Sequence, residues 1–206
     1  MCARCALSWH FWWNTCRTLA QSTHLARRVR SFTTTFAGPF TNDALRNMTF
    51  LHRLYISAED SNVLEGCTFK LVSLAYNFRD DKRFRKFLNS QPGITDIRLE
   101  NTFDDLCPFD ESSLPNLTRI ATYSSWLPHL IPGRPVREVT LIHGFYGKQL
   151  DLGVFTLSTA PIRKLTIHNT VIYPKTPGPR LAQIFSSLTH LNIYMGWDIV
   201  CDFFIY

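Results

Sequence analysis

Four carboxylates lie within eight residues of one another, and paired carboxylates are the groups that acid–base catalysis and cation sites use. They are Asp104, Asp105, Asp110 and Glu111. Their spacing does not follow that of a calcium-binding loop, in which ligands recur at alternate positions around a required glycine. We interpret the acidic, proline-interrupted stretch between Leu99 and Leu117 as an irregular connection that carries no site.

Other arrangements of reactive residues are equally incomplete. The stretch GFYGKQLDLG contains Gly144, Gly147 and Lys148, but not in the order of a phosphate-binding loop. Serine, histidine and aspartate all occur, yet the sequence lacks the Gly-x-Ser-x-Gly turn that presents a catalytic serine. We therefore predict no catalytic residue, no cofactor and no enzymatic activity.

The six cysteines are scattered, and one grouping alone resembles a metal site. It is Cys2-Ala-Arg-Cys5, with His10 and Cys16 behind it. It lacks the second pair of ligands that a zinc finger needs, so we predict no bound metal. Thiols without a disulfide pattern are typical of a reducing compartment, which favours the cytoplasm or the nucleus. No run of residues approaches the roughly 18 consecutive apolar positions of a membrane-spanning helix.

The net charge of +6 resides in the first quarter of the chain. Residues 1–56 contain seven arginines and one acidic residue, whereas residues 57–206 contain 15 basic and 15 acidic residues. Most of the chain therefore has no electrostatic reason to bind phosphate, and our main prediction has no nucleic-acid partner. The N-terminal arginines keep one alternative open, which is a basic nucleic-acid-binding protein.

One short pattern recurs along the chain: apolar, two other residues, apolar, one other residue, apolar. Clear copies read ITDIRL, VREVTL, IRKLTI and LTHLNI. Eight copies begin at residues 29, 51, 71, 94, 117, 136, 162 and 188, and 22 of their 24 template positions are apolar. The second half of the pattern alternates, which predicts a short strand with one buried face. The nearly even spacing indicates a repeat architecture.

Helix-like stretches precede several of these predicted strands. In TNDALRNM, Thr41 is the expected N-cap. Apolar residues recur at helical spacing there and in DDKRFRKFLNS, as Ala44, Leu45 and Met48 and as Phe84, Phe87 and Leu88. The stretches CRTLAQSTHLARR, WLPHLIPG and PRLAQIFSS occupy corresponding places.

A unit of about 23 residues cannot bury its apolar face alone, but stacked units can. We predict an α/β fold, an irregular leucine-rich-repeat-like solenoid. Its parallel sheet would line the concave side, and its helices and loops the convex side.

The phrases LHRLYIS, ITDIRLE, LTRIATY, VREVTLI, IRKLTIH and LTHLNIY resemble degenerate leucine-rich repeats. RTLAQSTHLARRVRSFTT (17–34), followed by ALRNMTFLHRLYI (44–56), is similar to the start of the repeat region in fungal, basidiomycete-type F-box proteins. This resemblance covers about residues 17–195. It implies that full-length relatives select substrates for ubiquitination.

The chain departs from that family in two ways. The strict repeat has asparagine eight residues after the first apolar position, where this chain has Glu59, Arg79, Thr102, Ser125, Gly144, Thr170 and Gly196. Residues 1–16 do not resemble the leucine–proline-led helical F-box, so docking to a cullin ubiquitin ligase is not carried over. We expect an aromatic-rich N-terminus over 1–16 that forms a capping helix, a repeat domain over 17–195, and an abrupt end over 196–206, typical of a truncated family member.

The residues that flank the buried positions of each strand would line the concave face of such a solenoid. Arginine and tyrosine are enriched among the side chains that dominate protein–protein binding energy. We therefore predict that an unidentified protein partner contacts Arg53, Tyr55, Arg98, Arg119, Tyr123 and Tyr194. The predicted function is a protein-interaction scaffold. Besides nucleic-acid binding, the remaining alternative is a fragment with no independent function.

Overall fold

Every copy of the recurring pattern forms a β-strand. The computed structural model describes residues 3–57, 61–77, 82–100, 109–110, 112–142, 152–168, 186–195 and 199–204. The chain divides into two units, Met1–Ile94 and Thr95–Tyr206. Both units are α/β, so the predicted fold class is confirmed at this level.

The first unit contains three parallel strands in chain order. Strand β1 pairs with β2, and β2 pairs with β3. Its strands and helices are α1 (Ala3–Gln21), α2 (Thr23–Ala26), β1 (Ser31–Thr34), α3 (Thr41–Asn47), β2 (Arg53–Ser57), β3 (Ser73–Asn77) and α4 (Lys82–Asn89), with a 3-10 helix at Ser61–Leu64.

The second unit continues the same arrangement over five parallel strands, β4 to β8, each paired with the next. A final strand, β9, pairs with β8 in the antiparallel direction. The elements are β4 (Asp96–Leu99), β5 (Arg119–Thr122), α5 (Leu127–Leu130), β6 (Glu138–Leu141), β7 (Lys164–His168), β8 (His190–Met195) and β9 (Ile199–Phe204), with 3-10 helices at Ser124–Trp126 and Leu152–Leu157.

One backbone arrangement recurs just before the strands. A single carbonyl oxygen accepts hydrogen bonds from two consecutive N–H groups of the next repeat. In the first unit the carbonyl of Arg30 accepts from His52 and Arg53, at 2.9 and 3.1 Å. In the second unit the same arrangement occurs at the carbonyls of Thr95, Thr118, Arg137 and Arg163. Because each bond pair joins neighbouring repeats, it fixes the register in which the following strand pairs.

The register places the apolar template positions side by side on one face. Leu54 aligns with Leu74 in the first unit, and Ile97, Ile120, Val139 and Leu165 align in the second. These side chains are all buried. These six copies therefore each contribute a buried side chain to the core of their unit.

The predicted helices α3 and α4 also form, with their apolar residues buried. The predicted cap is wrong: the helix begins after Phe40, and Thr41 is its first residue. The hydroxyl of Thr41 is buried and accepts a hydrogen bond from the N–H of Gly38, at 2.9 Å. Packing sets this helix start, because the ring of Phe40 contacts Trp13 edge to face, with centroids 5.2 Å apart.

Polar side chains, of which Gln91 is buried and Asn47 half-buried, connect neighbouring repeats away from the strands. The amide of Gln91 donates from Nε2 to the carbonyl of Phe69 at 3.1 Å, and its Oε1 accepts from the N–H of Leu71 at 2.9 Å. Asn47 donates to the carbonyl of Ala20 at 2.8 Å. These side chains satisfy backbone groups that irregular connections leave without partners.

Arg134 has the corresponding role in the second unit, although it carries a charge. Its side chain is buried and donates to the carbonyls of Asp110, Ser113, His129 and Pro132, at distances of 2.8 to 3.0 Å. The bonds to Asp110 and Ser113 reach back 24 and 21 residues. The guanidinium group thereby joins the connection before β5 to the connection before β6.

Two predicted features fall partly or wholly on residues that are not described. The helix predicted at PRLAQIFSS is described only at its last two residues, which form a turn. Of the stretch between Leu99 and Leu117, residues 101–108 and 111 lie outside the described residues, and 112–116 form turns. The predicted boundaries at 16 and 196 stay predictions.

Replacement of Gln91 by leucine should lower the free energy of unfolding by about 2–4 kcal/mol, because it leaves the N–H of Leu71 and the carbonyl of Phe69 buried without partners. Urea denaturation of the purified protein measures this loss. Thr68→Val, at an exposed position of the same connection, serves as the control and should change stability by less than about 0.5 kcal/mol. Equal effects of the two substitutions would contradict the assigned role of Gln91.

Candidate interaction surface

In each unit the strands have one face that the apolar core does not cover. We call it the open face and define it by the strand residues that alternate with the buried ones. In the first unit these are Ser31, Thr33, Arg53, Tyr55, Ser57, Ser73, Ala75 and Asn77. Apart from Arg53 they carry no charge, and several are small. The first unit therefore presents a mostly neutral, hydroxyl-rich open face.

In the second unit the open face consists of three rows that cross the strands. The first row is Asp96, Arg119, Glu138, Lys164 and His190. The second row is Arg98, Ala121, Thr140, Thr166 and Asn192. The third row, at the carboxyl ends of the strands, is Glu100, Tyr123, Ile142, His168 and Tyr194.

The charges of the first row alternate in sign from strand to strand. Asp96 and Arg119 form an ion pair, with 3.3 Å between Oδ2 and Nη2. Glu138 and Lys164 are also neighbours in register, yet among the described residues neither forms an ion pair. Opposite charges on directly opposed strand positions stabilise a sheet by roughly 0.2–1 kcal/mol per pair. Within the described residues, one of the two neighbouring charge pairs therefore forms an ion pair. The charges of Glu138 and Lys164 remain for contact with another molecule.

The second row combines one cation with short side chains. Arg98 extends from β4 and forms an ion pair with Glu100 on the same strand edge. The other members are Ala121, two threonines and Asn192. Thr166 lies on this face by register, and only 6% of it is accessible. Its short side chain lies between Thr140 and Asn192 in register, which leaves it little contact with solvent.

Three of the five members of the third row are aromatic. Tyr123 follows β5 and is half-buried. At one end of the row His168 and Tyr194 stack face to face, with ring centroids 4.4 Å apart and 4° between the planes. Flat, partly exposed rings of this kind offer a large contact area at low conformational cost.

The six residues predicted to bind a partner separate into two sets. Arg53 and Tyr55 lie two positions apart on β2 in the first unit. Arg98, Arg119 and Tyr123 lie together on the neighbouring strands β4 and β5, and Tyr194 lies on β8. All six are exposed or half-buried on the open face of their unit, and whether a partner contacts them stays a prediction.

Glu138 and Lys164 were not among the predicted site residues. The signal is in the sequence nevertheless, because both directly precede the central apolar position of their pattern copy, as Asp96 and Arg119 do. Aligning the copies by this position displays the alternation of charge. A search restricted to arginine and tyrosine misses it.

The acidic cluster and the N-terminal arginines, which the sequence analysis weighed as cation or nucleic-acid sites, make contacts within the chain where they are described. The carboxylate of Asp110 accepts a hydrogen bond from the N–H of Ser112 at 3.0 Å, which lowers the pKa of Asp110. Its predicted neighbours Asp104, Asp105 and Glu111 lie outside the described residues, as do Gly144, Gly147 and Lys148. Among the N-terminal arginines, Arg30 donates to the carbonyl of Arg27 and lies over the ring of Phe50, 4.8 Å from its centroid.

The asparagine-ladder positions of the strict repeat are largely undescribed. Of the seven, Ser125 alone is described, and its hydroxyl is buried without a hydrogen-bond partner. At this position, then, no side chain repeats the backbone-bonding role that asparagine has in the strict repeat. In the described connections Gln91, Asn47 and Arg134 make such bonds instead.

Cys16 and Cys67 are free thiols. Burial raises the pKa of both, for Cys67 to about 12 against an opposing effect of the Arg46 charge, and for Cys16 against a hydrogen bond from Thr41. Over the described ranges no three potential ligands gather into a metal-binding group. Cys2 and the side chains of Cys5 and His10 lie outside the described residues. In the described structure Cys16 is therefore a core group, whereas Cys67 is half-buried.

In the described part of the chain, none of the helices combines the length and the apolar character needed to cross a bilayer. No known protein family matches the sequence, and no curated protein matches it significantly.

Arg98→Ala should lower the free energy of unfolding by less than about 1 kcal/mol, because half of its side chain is exposed and its ion pair is screened by solvent. Ile120→Ala, on the buried face of the adjacent strand, should cost about 2–5 kcal/mol. Chemical denaturation of both variants provides the comparison. An equally large loss in Arg98→Ala would make this residue part of the fold rather than of a binding surface.

Cys67 should react with iodoacetamide at pH 8 about a thousandfold more slowly in the folded protein than in denaturant, because its pKa of about 12 leaves little thiolate. The raised pKa also means that the neutral thiol favours the folded state. This contribution is complete below pH 9 and is lost as the pH rises toward 12. Peptide mapping by mass spectrometry measures the rate, and equal labelling of folded and unfolded protein would contradict the assignment.

Proposed function

We propose that this protein is a binding scaffold whose open face recognises another protein. In this proposal the two units belong to an irregular leucine-rich-repeat-like solenoid, with the strands on its concave side and the helices and connections on its convex side. The observation that supports it most is that Arg98, Arg119 and Tyr123 lie on or directly after the adjacent strands β4 and β5, outside the core and accessible to a partner.

The chemistry of the open face fits protein recognition better than catalysis. Its second unit offers cations, carboxylates, hydroxyls and aromatic rings in rows. Protein interfaces commonly combine a few arginine and aromatic anchors with a surrounding polar rim. Arg98 and Tyr123 would be the anchors, and the first row would contribute charge selectivity.

The resemblance to fungal F-box proteins suggests what such a scaffold does. In that family the repeat region selects the substrate of a ubiquitin ligase, and this chain would correspond to that substrate-selecting part. Docking to the ligase core is not proposed, because residues 1–16 do not resemble an F-box. The site of action would be the cytoplasm or the nucleus.

Photo-crosslinking in cells tests this proposal. A crosslinking amino acid at position 123 or 194, on the open face, should capture one protein that the same group at position 86, on the exposed side of α4, does not capture. The captured protein is then purified and its affinity for the scaffold is measured directly. Combined Arg98→Ala and Tyr123→Ala should weaken binding at least tenfold, because truncating two anchor residues removes about 1.4 kcal/mol or more.

The matched control removes one cation and one exposed apolar side chain outside the strands. Lys86→Ala with Leu157→Ala does this, and binding should stay within about twofold of the wild type. Unchanged binding in the Arg98 and Tyr123 variant would contradict the proposal. So would an equal loss in the control.

A further inference from the structure

We infer that the open face of the second unit pairs with the same face of a second copy of this chain. The inference rests on the proposed function in one respect, which is that it takes this face to be a binding surface. The observation behind it is the order of charges in the first row.

Across β4 to β7 the first row reads acidic, basic, acidic, basic: Asp96, Arg119, Glu138 and Lys164. A two-fold axis parallel to the strands, between β5 and β6, reverses this order in the second copy. Asp96 then faces Lys164 of the second copy, and Arg119 faces Glu138 of the second copy. All four contacts join opposite charges, so the row is complementary to itself.

The other two rows are compatible with the same axis. In the second row Ala121 meets Thr140 of the second copy, a contact between short side chains that lets the faces approach. In the third row Tyr123 meets Ile142 of the second copy, and Glu100 meets His168 of the second copy. The axis therefore brings no pair of like charges together in any row.

The monomer leaves charges available for this contact. Arg119 keeps half of its side chain exposed while it is bonded to Asp96, and Glu138 and Lys164 have no ion-pair partner among the described residues. Three strand spacings of about 4.8 Å make the four-residue row about 14 Å long. Over so short a span, the long side chains of Arg119, Glu138 and Lys164 can bridge the gap that a bent sheet would leave.

The available area indicates a weak complex. Because this axis pairs β4 to β7, four strands about 4.8 Å apart, each contributing about five residues, present on the order of 300 Å² per copy. The total of roughly 600 Å² lies below the 1,200 Å² of stable complexes, so the dimer should dissociate in the micromolar range or above. Because charges carry the contact, dissociation should increase as salt rises from about 0.05 to 0.5 M.

Sedimentation equilibrium of the full-length protein at about 10 to 500 µM tests the inference. Asp96→Lys and Lys164→Asp should each weaken self-association at least tenfold, because each places like charges opposite each other twice in the dimer. An equimolar mixture of the two variants should regain dimers, since every contact between the two different chains again joins opposite charges. A purely structural defect would not be repaired by mixing.

Arg119→Glu and Glu138→Arg form a second pair for the central contacts, and they replace the first pair if either of its variants does not fold. A wild type that stays monomeric at all concentrations would overturn the inference, as would a mixture that stays monomeric or single variants that associate normally. These outcomes are independent of the crosslinking experiment. If the protein stays monomeric but binds the captured protein, the dimer inference is wrong and the proposed function stands. If the protein dimerises but binds no other protein, the proposed function is wrong and the dimer inference stands.

Discussion

The structure of each unit depends on one hydrogen-bonding arrangement, in which a carbonyl oxygen accepts two consecutive N–H groups of the next repeat. The carbonyl of Thr118, for example, accepts from Arg137 and Glu138 at 2.8 and 3.1 Å. The bond pair fixes where the next strand starts relative to the last one. Since a shift of one residue would turn every side chain to the other face, this arrangement decides which residues form the core and which remain on the open face.

The same alignment explains why the open face of the second unit has rows. Residues in register are about 4.8 Å apart, so the side chains of one row act on each other and form a common surface. Asp96 with Arg119, and His168 with Tyr194, are contacts of this kind. The binding properties proposed for this face therefore arise from the register, although apart from the buried Thr166 its residues lie outside the core.

The strands could be predicted from the sequence because burial on one face leaves a periodic trace, and Leu54, Ile97 and Val139 each occupy the expected position. Single contacts leave no such trace. Arg134 binds carbonyl groups, which every residue has, so its sequence position gives no indication of its role. The start of α3 was missed because Phe40 is held by Trp13 from another helix. The partner-binding residues could be placed on a face, but composition alone favoured arginine and tyrosine and overlooked Glu138 and Lys164.

Strand β9 runs opposite to the strand beside it, and this direction has a consequence for assembly. Parallel repeats add to a sheet by presenting an edge that runs the same way as the next strand. With β9 in place along its full length, from Met195 opposite Ile199 to His190 opposite Phe204, that edge of β8 is occupied. Addition of a further parallel repeat at β8 would therefore require β9 to be displaced first.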